Sequence, residues 1–100
     1  MAQEYSAEIG PGFPWTEVME ALDLADLAVP LSITDEQVLL RWADTPARPG
    51  WVNDIAIVHD AQRLLVQIHV GSRDRIAQLL HRIAALVQQR TGEWLEFEEM

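Results

Sequence analysis

The chain has no cysteine and no lysine among its 100 residues. Without cysteine there is no disulfide, no thiolate metal site and no thiol nucleophile. Without lysine, all seven cations are arginines, set against sixteen carboxylates for a formal net charge of −9. Such a surface repels nucleic acid and anionic membrane and attracts basic surfaces. No apolar run approaches the roughly 20 residues that a membrane helix needs. The opening residues, Met1 to Tyr5, carry neither a basic region nor an apolar stretch, so no signal peptide is expected and the location expected is cytoplasmic. A Gly-rich phosphate loop is missing too: Gly10, Pro11 and Gly12 form a turn before a helix, with no lysine to meet a phosphate.

What is present argues for a folded body. Hydrophobic residues make up 49 % of the chain and include four tryptophans, enough for one domain, residues 1–100, around a single core. Arginine as the only long cation is the habit of GC-rich coding and fits a bacterial source. The charge is uneven, −7 over residues 1–50 and −2 over 51–100, with a further acidic tail at Glu93, Glu96, Glu98 and Glu99.

The clearest element runs from Arg63 to Gly92. Leu64, Val66, Ile68 and Val70 alternate with more polar residues, the period of a strand with one buried face. Ser72 follows as an N-cap, then Ile76, Leu79, Leu80, Ile83 and Val87 form a helical stripe that Gly92 closes. A fainter copy lies upstream, where Tyr5, Ala7 and Ile9 alternate before Gly10, and Trp15, Val18, Met19 and Leu22 make a second stripe. The two units share a constant offset of 61 residues, which points to a pseudo-repeat. The first helix is predicted to end near Asp23 to Ala25, since further on it would place Leu24 and Leu27 on its polar arc.

Between these units, Trp51 to Asp60 and the run from Arg63 read as a hairpin. Its strand turns Ile55 and Ile57 to the core and Asp54, Ala56 and Val58 outward. Ala28 to Ile33 reads as an edge strand carrying Pro30. Residues 34–43 carry both a helix-cap signal at Thr34 and a strand alternation at Val38, Leu40 and Trp42; strand is preferred. Glu93 to Glu98, with Leu95 and Phe97 inward, is the last strand. The predicted order is β-α-β-β-β-β-α-β, an α+β two-layer sandwich with a mostly antiparallel sheet and two helices on one face, of ferredoxin-like type.

The candidate sites are surfaces. His59, His69 and His81 match no metal spacing, and His59 and Asp60 as strand neighbours point apart, so neither metal, cofactor nor catalytic residue is assigned. Glu17, Glu20 and Asp23 lie on the first helix away from its apolar stripe. With Asp35, Glu36 and the C-terminal glutamates they are expected to form a continuous negative surface. Arg48 and Trp51, at a Pro- and Gly-containing loop, are of the residue types that anchor interfaces. The outer sheet face, with Ala56, Val58, Leu65, Gln67 and His69, is an expected homodimer surface. The function expected is that of a small acidic, non-enzymatic protein that neutralises a basic protein partner, as an immunity protein or antitoxin does. The alternative is a dimeric regulatory domain or small enzyme that binds a small molecule. Nucleic acid and membrane are not expected partners.

Overall fold

The computed structural model describes residues 3–22, 24, 26–44 and 53–100. Among them the elements follow one another as β1 (Gln3–Glu8), α1 (Trp15–Glu20), β2 (Ala28–Ile33), β3 (Gln37–Trp42), β4 (Ile55–His59), β5 (Arg63–Ile68), α2 (Arg73–Thr91) and β6 (Glu98–Glu99). The fold is α+β, a six-stranded sheet in the order β2-β3-β4-β5-β1-β6 with every neighbouring pair antiparallel, compatible with a two-layer sandwich.

The strand order is not the ferredoxin-like one. β5 and β6 flank β1 and both oppose it, so β5, α2 and β6 form one split β-α-β unit. The other half departs from the pattern, because β2, β3, β4 and β5 run as an unbroken meander that puts three strands between β2 and β1. A period of two tells which face of a strand is buried but not which strand lies beside it.

The core is one cluster against the inner sheet face. Leu64 and Val66 of β5, Ile55 and Ile57 of β4, and Val38, Leu40 and Trp42 of β3 are all buried there. They meet Trp15, Val18 and Met19 of α1 and Ile76, Leu79, Ile83 and Val87 of α2. α2 keeps the limits its sequence sets. The Ser72 hydroxyl accepts from the Arg75 amide at 3.3 Å, and Gly92 takes the left-handed conformation (φ +83°) that closes the last turn. Val70 does not continue the buried face: it lies past the end of β5 and is 44 % exposed. Its carbonyl accepts from the Trp42 indole N–H, which seats that ring against Gly71, where an added Cβ would stand 2.8 Å from it.

α1 is shorter than its stripe predicts. It ends at Glu20, before the predicted Asp23 to Ala25, and spans 6 residues against 19 in α2, so the two strand–helix units differ in helix length by more than threefold. Stopping early frees Leu24 and Leu27 from a polar arc, and both turn into the core. The Leu27 and Ala28 amides then close a turn on the Leu24 carbonyl at 2.7 Å each. Segment 34–43 resolves as strand from Gln37, and the cap signal is real as well. The Thr34 hydroxyl accepts from the Glu36 and Gln37 amides at 3.2 and 3.1 Å, closing the β2–β3 hairpin with the chemistry of a helix cap.

Asp54 overturns its expected outward position. It is fully buried, and its carboxylate accepts the Trp42 amide at 3.0 Å where the β3–β4 ladder ends. At the two sheet edges, β2 carries Pro30 and a bulge between Pro30 and Ser32, while β6 pairs with β1 only at Tyr5 and Ser6. The predicted last strand, Glu93 to Glu98, is thus reduced to Glu98–Glu99, although Leu95 is buried and Phe97 partly so, as expected.

Candidate functional site

Charge on this fold is arranged by pairing. Arg75, Arg82 and Arg90 recur about every two turns of α2 and line one stripe of it. Each meets a carboxylate from another element: Arg75 pairs with Asp44 after β3, Arg82 with Asp26 before β2, and Arg90 with Glu17 of α1 at 3.3 Å. The Arg82 pair is two-pronged, with its nitrogens 2.6 and 3.0 Å from the two Asp26 oxygens. That guanidinium holds the Asp26 carboxyl at about 2, well below its ordinary 3.8. All three pairs are solvent-exposed, so water and salt screen them strongly and they add little to stability. Their larger effect is on the field, because each arginine of this stripe is matched by a carboxylate.

Of the remaining exposed acids, the α1 and turn residues and the C-terminal glutamates form two patches, not one. The first gathers around α1 and the β2–β3 turn. The Trp15 indole N–H donates to the Thr34 carbonyl at 2.9 Å, tying the start of α1 to the turn that carries Asp35 and Glu36. His59, at the end of β4, stacks on the Trp15 ring with centroids 4.1 Å apart, and its Nε2 donates to the Asp35 carbonyl at 2.9 Å. A carbonyl only accepts, so the proton sits on Nε2. Glu20, Asp35 and Glu36 are exposed on this clasped frame, and Glu17 is exposed but held by Arg90. Asp23, Arg48 and Trp51 lie outside the described residues.

The second patch is the C-terminal segment with Glu93, Glu96, Glu98 and Glu99, beside Glu8 of β1. β6 and the β2–β3 hairpin occupy opposite edges of the sheet, about 20 Å apart at the usual strand spacing. The expected continuous surface is therefore divided by the width of the sheet.

The outer sheet face comes together largely as its alternation predicts. Ala56 stands opposite Gln67, and Val58 opposite Leu65. Val58, Leu65 and Gln67 are half-buried, Ala56 is shielded by its larger neighbours, and His69 stands exposed one residue past β5. Leu39 of β3, opposite Ala56, completes the apolar patch. Sequence reading missed it because the strand identity of residues 34–43 was open.

Among the described residues, the histidines are drawn into separate local contacts. Asp60, the neighbour of His59, closes the β4–β5 turn instead. Its carboxylate accepts the Gln62 and Arg63 amides at 2.8 Å each, and these bonds hold it below the ordinary carboxyl range. His81 leans on Trp94 at 5.4 Å between ring centroids. Among the described residues no helix is long and apolar enough to cross a membrane. Compared with known proteins, the chain matches no protein-family model, no curated protein and no solved structure.

Proposed function

We propose that this is a small acidic, cytoplasmic binding protein that covers a basic surface of another protein and so inhibits or neutralises it, in the manner of an immunity protein or antitoxin. The observation that carries the reading is the closure of the α2 arginine stripe by Asp44, Asp26 and Glu17, beside a turn with exposed acids whose backbone is held by Trp15, His59 and Thr34. The contact set is Glu17, Glu20, Asp35 and Glu36, with Asp23, Arg48 and Trp51 completing it. Exposed carboxylates carried on a held backbone steer encounter with a cationic patch and set its register more than they add raw affinity. No covalent chemistry is assigned to the protein.

Capture from the native host lysate, washed at low and then at high salt, tests this. A stoichiometric basic protein released by salt is expected. The combined variant Glu20→Gln, Asp35→Asn and Glu36→Gln should slow its association about tenfold or more at low salt. Equal association of the variant and the natural chain at low salt would overturn the acidic-face mechanism.

A second reading rests on the outer sheet face, where Leu39, Val58 and Leu65 form an apolar patch opposite the helices. Here the protein is a dimeric regulatory domain or small enzyme that binds a small molecule, and its acidity is incidental. Leu65→Glu should then convert a dimer to a monomer by native mass determination; a natural chain that is already monomeric counts against it.

A further inference from the structure

Trp94 is 44 % exposed and forms the ridge between two grooves of about 410 and 420 Å³ at the β6 edge. On the α2 side the wall is apolar, built from Leu80, Ala84 and Phe97. On the β1 side it is acidic, with Glu8 facing Glu96 and Glu98, and these last two border both grooves. Arg63 stands within the acidic groove, and His81 lies against the ridge.

The backbone is open at the same place. In an antiparallel ladder, successive residues of a strand turn their amides to opposite neighbours. The Ile9 amide bonds Gln62 beyond β5, while the Glu4 carbonyl receives the Met100 amide from the other side. The amides of Ser6 and Glu8 therefore point toward β6. Pairing with β6 stops at Ser6, so the backbone edge of Glu8 faces the groove without a strand beside it.

We propose that this edge binds an extended segment of a protein partner that alternates Arg or Lys with aliphatic residues. Its main chain bonds the Glu8 edge as an added strand. Its cations lie over the Trp94 ring and between the carboxylates of Glu8, Glu96 and Glu98, and its aliphatic side chains reach the wall of Leu80 and Phe97. The proposal rests on the reading of a basic partner and adds to the α1 face a second contact, at the opposite edge of the sheet.

The test is a titration of isotope-labelled protein with an acetylated, amidated peptide of alternating Leu and Arg, followed at the indole and backbone amide signals. Saturable shifts at the Trp94 indole and the Glu8 amide are expected, weakened by salt and absent with an alternating Leu and Glu peptide. Trp94→Ala, and separately Glu96→Gln with Glu98→Gln, should each weaken binding about tenfold. The second variant changes only exposed side chains, so it keeps the test valid if removing the indole disturbs the fold. Shifts confined to Glu20, Asp35 and Glu36 would overturn the groove and leave the basic-partner reading standing. A lack of saturable shifts would also overturn the groove, and the lysate capture would then decide the broader reading by itself.

Discussion

Asp54 shows how much one side chain can matter to this sheet. β3 and β4 part company at Trp42, whose amide would face a dry interior without a partner, and the Asp54 carboxylate supplies one. Asp54→Ala leaves that donor unsatisfied and should cost about 1–3 kcal/mol in urea denaturation. Asp54→Asn, which keeps an accepting oxygen, should cost less. Asp26 illustrates the opposite case, an exposed group whose effect shows in its titration. Its folded pKa lies below its unfolded one, so its contribution is present above pH 3.8 and is lost as the pH falls through about 2. Carboxyl carbon shifts should give a midpoint near 2 for Asp26, returning toward 3.8 in Arg82→Ala. An unmoved midpoint would mean that Arg82 is not the cause. Neither role was legible beforehand, since alternation placed Asp54 outside and nothing in the spacing joined Asp26 to Arg82. Both depend on contacts between elements that only the tertiary fold brings together.

At the scale of elements, legibility followed agreement among signals. From Arg63 to Gly92 the strand period, the Ser72 cap, the helical stripe and the glycine stop all agree, and the strand and helix form as written except that Val70 lies beyond β5 and is exposed. Ser72→Ala should therefore cost about 0.5–2 kcal/mol, with fraying of the first turn of α2 seen in amide exchange. Faster exchange spread over the whole helix, with no local pattern, would argue against a capping role. Signals conflicted at Thr34, where one side chain serves a motif common to helix starts and turns, and the alternation beyond it decided for strand. They also conflicted after α1, where a stripe predicted a longer helix. Burial of Leu24 and Leu27 outweighs further helical turns there. Of the candidate surfaces, the outer sheet face was readable because a period of two assigns faces directly. The C-terminal grooves were not, because they arise where β6 separates from β1.

For the molecule as a whole, the question is whether its charges hold it together or push it apart. The three α2 pairs are exposed, and solvent leaves each only a small attraction. Against them stands a net charge of −9, whose self-repulsion weakens a compact state. Salt screens both over a Debye length of about 10 Å at 0.1 M. Repulsion involves more charges than the pairs do, so the thermal midpoint should rise by a few degrees from low to physiological salt. A falling midpoint would show instead that the arginine stripe dominates.

The two sheet edges carry a further consequence, for self-association. The β2 edge is blunted covalently, by the missing N–H of Pro30 and by the bulge beside it. The β6 edge has no covalent device and is guarded by its two-residue length and by the charges of Glu98 and Glu99. Replacing both with valine should give concentration-dependent, thioflavin-positive assembly, while the natural chain stays clear at the same concentration. By this route only two substitutions separate a dispersed protein from a polymerising strand, and both lie at the same end of the sheet.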